Sequence, residues 1–257
     1  MSVLPEPDLR HKLPALLESP SLYRTDSDTP AFEVKFLLTE AEATEVEHRL
    51  RPSLLLDPHA DPSLGNSYRV TSVYFDTAAF DVYQRTKGHR RRKFRIRRYG
   101  SALSVFLEQK SKSQQRVRKR RTSIHENELE SLSAVESNEW SGAWFAKKLA
   151  KRGLSPVCRI SYQRLALIGT STDGPIRVTF DRSANGEAAN GHVPHPVANG
   201  KSLLNDEVIA EFKFLGAMPT IFKTVIEDLR LAPRPVSKYR RCVEAAGLVS
   251  ALGNGNA

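Results

Sequence analysis

Cysteine is nearly missing from this 257-residue chain: only Cys158 and Cys242 occur, with no Cys-x-x-Cys pair and no metal-ligand spacing. That excludes a disulfide framework and a structural zinc site, and two buried thiols are expected. Long apolar runs are missing too. No stretch reaches the roughly eighteen uncharged residues of a membrane-spanning helix. The opening Met1-Ser2-Val3-Leu4-Pro5-Glu6 lacks the basic-then-apolar layout of an export signal, so a soluble, cytoplasmic protein is expected. The seven His residues show no HExxH or paired spacing, which leaves them as structural or surface groups. Acidic residues are the minority charge, 29 Asp plus Glu against 39 Lys plus Arg, for a formal net charge of +10. Such a surplus favours polyanionic company: nucleic acid, a membrane surface, nucleotides or phosphate chains.

The length suits a single well-packed domain. Pro5, Pro7, Pro14, Pro20 and Pro30 mark residues 1–30 as a flexible extension, so the folded part is expected over 31–247, with a disordered tail at 248–257. A second loose segment is expected from Ser183 to Asn205, where Asn185-Gly186, Asn190-Gly191 and Asn199-Gly200 read as turns. Between these, period-two alternation predicts strands at Phe32–Leu38, Tyr68–Asp76, Arg92–Tyr99, Ser104–Lys110, Gln115–Arg121, Arg159–Leu167, Ile176–Asp181 and Val208–Phe214. Thr39 and Glu42 form a capping box ahead of a helix that Pro52 closes. Further helices are predicted at Glu126–Val135, Trp140–Lys151 and Pro219–Leu229. Strands and helices do not alternate regularly, so the fold class is α+β, a mainly antiparallel sheet with peripheral helices.

Along these strands one face is apolar and the other charged. Phe32, Val34, Phe36 and Leu38 oppose Glu33 and Lys35; Phe94 and Ile96 oppose Lys93, Arg95 and Arg97. Val105 and Leu107 oppose Glu108 and Lys110, Val178 and Phe180 oppose Arg177, and Phe212 and Phe214 oppose Glu211 and Lys213. A wet face of an ordinary antiparallel sheet gives the same alternation. The sign of the charge argues for more, because Arg91, Lys93, Arg95 and Arg97, and again Arg116, Arg118 and Arg120, repeat one sign two residues apart. At ~5 Å and an effective dielectric of ~20, each unneutralised like pair costs about 3 kcal/mol before screening. A bound polyanion converts that cost into affinity, and the Arg fork grips phosphate oxygens through paired hydrogen bonds. Glu33, Glu108 and Glu211 fit such a groove in either of two ways: as ion-pair partners of neighbouring cations, or as ligands of Mn²⁺ or Mg²⁺ bridging carboxylate to phosphate. Glu211 is the foremost ligand candidate.

Six segments in order, Phe32-Glu33-Val34-Lys35-Phe36, Ser72-Val73-Tyr74-Phe75-Asp76-Thr77, Arg95-Ile96-Arg97, Phe106-Leu107-Glu108-Gln109-Lys110, Glu211-Phe212-Lys213 and Ser237-Lys238-Tyr239, resemble the VTC domain of polyphosphate polymerases. That family belongs to the triphosphate tunnel superfamily, with CYTH phosphatases and RNA triphosphatases. The resemblance implies a closed antiparallel β-barrel, a tunnel lined by basic residues, with helices outside. It implies phosphate contacts from Lys35, Arg95, Arg97, Lys110, Arg159, Arg177 and Lys238, with Arg118 or Lys119 and Lys213 adding to them, and Glu211 holding the metal. Arg95, Arg97, Lys110 and Lys238 are the expected catalytic group. Two departures stand out. Ala31 occupies the first acidic position of the superfamily's Glu-x-Glu-x-Lys signature, which weakens a CYTH-type hydrolase, and Pro235 stands near a missing basic residue.

The implied reaction moves the terminal phosphoryl of ATP onto inorganic polyphosphate and releases ADP, a metal-dependent phosphotransferase activity. No general base is needed, because a terminal phosphate oxygen is already anionic. The rivals are an inorganic or nucleoside triphosphatase on the same fold, and a non-enzymatic polyanion-binding or nucleic-acid-binding module built on Arg85–Arg98 and Arg116–Arg121. Against specific nucleic-acid recognition, Phe94 falls on the apolar face and offers no stacking platform. The fungal polymerases' regulatory domain and membrane helices have no counterpart, so no membrane span is expected. Oligomeric state is left open.

Overall fold

The computed structural model describes residues 31–113, 116–133 and 140–249; the expected extension at 1–30 and residues 250–257 of the expected tail lie outside them. Among the described residues, one antiparallel sheet of ten strands carries the fold. Its ladder order is β1 (Ala31–Leu38), β10 (Val208–Leu215), β8 (Gly174–Ala188), β7 (Ser155–Ser171), β3 (Ser67–Asp76), β4 (Arg92–Tyr99), β5 (Ser104–Ser113) and β6 (Arg116–His125). The short β2 (Leu55–Leu56) and β9 (Lys201–Ser202) add to β7 and β8. Each strand read from alternation is present, several of them longer than expected. Helices α1 (Glu40–Leu50), α2 (Asp81–Gln84), α3 (Ala143–Lys151), α4 (Thr220–Asp228) and α5 (Lys238–Ala245) flank the sheet.

Directly opposed residues of neighbouring strands share a face, so the register assigns the two surfaces. Tyr74 faces Arg95, Arg95 faces Glu108 and Glu108 faces Arg121, while Glu33 faces Lys213 and Lys35 faces Glu211. The other surface is apolar and helix-covered. Phe36, Phe180, Phe212 and Val178 pack with Val46 and Leu50 of α1 and Phe222 of α4, and the Phe212 and Phe222 rings meet edge-on at 4.9 Å. Phe75 and Phe94 close on Phe145 of α3 at 5.7 and 5.8 Å. Helix α1 has the expected capping box, Thr39 accepting from the Glu42 amide while Glu42 accepts from that of Thr39.

The sheet curls around its charged face. Lys110 of β5 donates to Glu33 of β1 at 2.5 Å, although the two strands stand near opposite ends of the ladder order. Yet no ladder joins β1 to β6 among the described residues, so the sheet is an open, curled trough and not the expected closed barrel. The edge strand β6 carries Arg116, Arg118, Lys119, Arg120 and Arg121, and charged edges of this kind resist main-chain pairing with another strand.

Three further expectations are corrected. The helix expected at Glu126–Val135 is a 3-10 helix over Glu126–Leu132, with residues 134–139 outside the described set. Asn185-Gly186 is not a turn, because β8 runs on to Ala188. Helix α5 was not foreseen, since Pro233 and Pro235 precede it and four charged residues interrupt its stripe of Tyr239, Cys242 and Val243. Ser237 caps it, and Tyr239 stacks on Tyr74 at 5.7 Å and donates to the buried carboxylate of Asp76. Asp76 also accepts from the amides of Thr77, Val82 and Tyr83, tying β3, α2 and α5 together.

Cys158 and Cys242 are both buried free thiols. A Cβ on Gly186 would stand 2.4 Å from Cys242 Sγ and 3.0 Å from Leu203 Cδ1, so this glycine lets α5 seat on β8. Gly186→Ala is therefore expected to cost about 1–3 kcal/mol by overpacking, read as a lower denaturant midpoint at unchanged m-value. A midpoint equal to the parent's would show that α5 yields freely.

Candidate functional site: a cationic trough

Three acidic centres organise the charged face. Glu108 of β5, 2% exposed, takes Arg95 Nε at 2.6 Å, Lys119 Nζ at 2.8 Å and Arg121 Nε at 3.3 Å. Burial alone would raise its carboxyl, but Arg95, Lys119, Arg97 and Arg121 hold it well below the usual carboxylate range. Arg97, the next inward residue of β4, is buried and donates to Ser72 Oγ at 3.1 Å and Tyr162 OH at 3.0 Å.

A second centre alternates sign across the seam of the trough. Glu211 takes Lys35 and Lys213, each at 2.9 Å, and Glu33 takes Lys110 at 2.5 Å and Lys213 at 3.5 Å. Burial opposes ionisation of Glu211, yet Lys213, Lys35 and Lys110 keep its carboxyl well below the ordinary range. The third centre is Asp181 of β8. Arg164 grips it through two bonds of 2.6 and 2.8 Å, and Lys238 reaches it from the first turn of α5 at 2.5 Å.

At Lys93 and Lys119 burial prevails over the neighbouring charges. Desolvation lowers both to about 8, with Lys35 and Lys110 adding to it at Lys93 and Arg95 at Lys119. Anion binding needs these ammonium groups protonated, so affinity for tripolyphosphate is expected to fall as pH rises through about 8. Stability of the empty protein runs the other way. Between about 8 and the unfolded lysine value near 10.4 the folded chain binds fewer protons, and stability should rise with pH. Titration calorimetry and thermal melts on either side of this threshold check both signs; a flat affinity would remove these lysines from anion binding.

Among the described residues no group of three or more His, Cys, Asp and Glu gathers as a ready-made cage. Glu33 and Glu211 share the Lys213 ammonium, so their carboxylates converge, and two carboxylates completed by phosphate oxygens suit Mg²⁺ or Mn²⁺. Glu108 does not fit, because three cations already surround it.

With this geometry in place, comparison is decisive for family. The VTC domain model matches residues 31–246. This chain belongs to the VTC domain family. Among solved structures, an adenylate cyclase candidate from Bacillus halodurans is 12% identical, covering 81% of this chain and 94% of its own, with a TM-score of 0.50. An adenylyl cyclase candidate from Hippeastrum, described as having a dominant triphosphatase activity, is 14% identical over 83% of this chain and 95% of its own, at 0.48. PH1819 from Pyrococcus horikoshii is 14% identical over 83% and 99%, at 0.44. No curated protein matches the chain. The fold is that of the triphosphate tunnel proteins.

This VTC domain brings together Lys35, Arg95, Arg97, Lys110, Lys119, Lys213, Lys238, Glu33, Glu108 and Glu211 on the concave face. Arg177 shares that face at its far end, bonded to Asp57 at 2.6 Å and Tyr68 OH at 2.9 Å. Arg159 stands apart: it opposes Val73 on the outer parity and pairs with Glu187. Register likewise puts Lys119, not Arg118, opposite Lys110; Arg118 faces Ser111, and its side chain lies outside the described residues. Arg120, on the outer parity too, lies over the Trp144 ring at 4.1 Å.

Sequence reasoning passed over Arg164, Asp181, Arg121 and Lys93 as site residues of the VTC domain. For Arg164 the signal is a break in pattern: Ile160 and Tyr162 precede it on one parity, while Leu165 and Leu167 follow on the other. β7 keeps its period through this switch, pairing step for step with β3, and Ile160 and Tyr162 share the face of Arg164 but lie buried in one cluster with Tyr239 and Cys242 of α5; the extra residue of the nearby bulge belongs to β8.

Proposed function

We propose that this VTC domain is a metal-dependent phosphotransferase that passes the terminal phosphoryl of ATP to the end of a growing inorganic polyphosphate. One observation carries the reading. Glu33, Glu108, Glu211 and Asp181 are each already engaged by two or more cations, while cations outnumber carboxylates on the concave face. Carboxylates held ionised in this way are poor proton acceptors, so activating a water molecule is not their work. A nucleophile that arrives anionic, such as a terminal phosphate oxygen, needs no base.

In this scheme Arg95, Arg97, Lys110 and Lys238 face the transferring group and spread their charge over its equatorial oxygens. Lys35, Lys119, Lys213 and Arg177 hold donor and acceptor chains in line, which removes much of the orientational cost. Glu211 with Glu33 would hold Mn²⁺ or Mg²⁺, which supplies charge neutralisation between neighbouring phosphates.

Pure protein incubated with ATP and Mn²⁺ should yield ADP and a ladder of polyphosphate on a resolving gel. Inorganic phosphate as sole phosphorus product would make the chain a triphosphatase of the same fold. Glu211→Lys should abolish turnover; unchanged or stronger nucleic-acid binding with no turnover in either protein would favour a binding module. That last outcome is disfavoured by Phe94, which is 1% exposed under α3 and presents no ring to a base.

A further inference from the structure

Beyond the trough, a cavity of about 500 Å³ opens where the α2–β4 connection meets α5. Its wall carries Arg85, Arg90, Arg91, Lys93 and Arg240. Among the described residues the side chains of Arg85, Arg90 and Arg91 meet no hydrogen-bond or ion-pair partner, and all three are exposed. The nearby acids are otherwise engaged: Asp81 by Thr77 and Thr86, Glu244 by Tyr83 and Arg240. Clustered cations without counter-charge repel one another, and an anion relieves that.

The cavity is continuous with the trough through one residue. Lys93 opposes Lys110 on the concave face, donates to Ser237 Oγ at 3.3 Å at the cap of α5, and also lines the cavity. Along β4 the inward positions run Arg97, Arg95 and Lys93, and Arg91 continues that parity beyond the strand's first residue. Inward side chains on a strand recur about every 6.6 Å, which makes this row an unbroken cationic track leading out of the trough.

We propose that this mouth is a second anion site that holds the stretch of a linear phosphate chain lying outside the trough. The assignment rests on the phosphotransferase reading for its ligand. A phosphate chain is favoured over single-stranded nucleic acid by the lining: Val82 and Tyr239 are buried, and Arg240 lies over the Tyr83 ring at 4.3 Å. No exposed ring remains in the lining for a base to stack on.

The test compares tripolyphosphate, short enough for the trough, with long-chain polyphosphate, using the full chain and the variant Arg85→Gln/Arg90→Gln/Arg91→Gln. Fluorescence anisotropy or calorimetry without nucleotide reads affinity independently of turnover. Long-chain affinity should fall at least about tenfold in the variant, and the slope of log affinity against log salt should shrink by about 2, at ~0.7 for each lost contact. Tripolyphosphate affinity should stay within about twofold, which also reports an intact fold. Equal loss for both ligands, or none for the long chain, overturns the mouth assignment and leaves the phosphotransferase reading standing. Failure of the parent to bind either phosphate overturns both. Tighter binding of single-stranded DNA than of polyphosphate, lost in the same variant, would assign the mouth to nucleic acid instead.

Discussion

Replacing Glu108 by Gln is expected to destabilise the protein by about 3–5 kcal/mol, the range for removing one partner from a buried ion-pair cluster. The side chain is 2% exposed, and Arg95, Lys119 and Arg121 all rely on it. Gln keeps the shape and removes the charge, leaving those cations facing one another. Chemical denaturation at constant m-value measures the loss, and a change below about 1 kcal/mol would show that water already screens the cluster. Tripolyphosphate should recover more stability in Glu108→Gln than in the parent, since added anion replaces the missing counter-charge. The acid limb gives an independent check. Because the folded Glu108 carboxyl lies well below its ordinary 4.5, its contribution is present above that value and lost as pH falls through the lower folded one. The variant should therefore lose less stability than the parent on acidification.

Removing Arg95 should lower kcat by about 10²–10³-fold with a smaller change in KM, the signature of a group that stabilises charge developing in the transition state. Arg95→Ala leaves Lys119 and Arg121 on Glu108, so the fold should survive. Arg159→Ala is the informative contrast. Family resemblance assigns it to the phosphates, whereas its partner is Glu187 on the outer surface. Its expected effect is on stability, with turnover close to the parent's; comparable losses of kcat at both positions would mean that β7 presents Arg159 inward during the reaction.

Much of the concave face was legible because its strands each carry an apolar outer face covered by a helix, which forces strict alternation. Phe32–Leu38, Lys93–Arg97 and Val208–Phe214 read correctly for that reason. Arg164 did not, since Ile160 and Tyr162 on its own face are buried with Tyr239 and Cys242 of α5, so that face of β7 does not read as charged. Openness of the sheet was illegible too. Whether β1 meets β6 depends on two strands about eighty residues apart in sequence, a relation that no local pattern records. For Glu108 both roles stayed open in the sequence, and its surroundings favour the ion pair.

Helix α5 carries a consequence for biosynthesis. Tyr239 anchors to Asp76 across 163 residues, and Lys238, its chain neighbour, delivers an ammonium group to Asp181. During vectorial synthesis the curved wall can form first, while this ammonium group arrives only once residues beyond Ser237 leave the ribosome. A nascent chain thus completes the charge cluster on Asp181 only after all the strands of the sheet have been made.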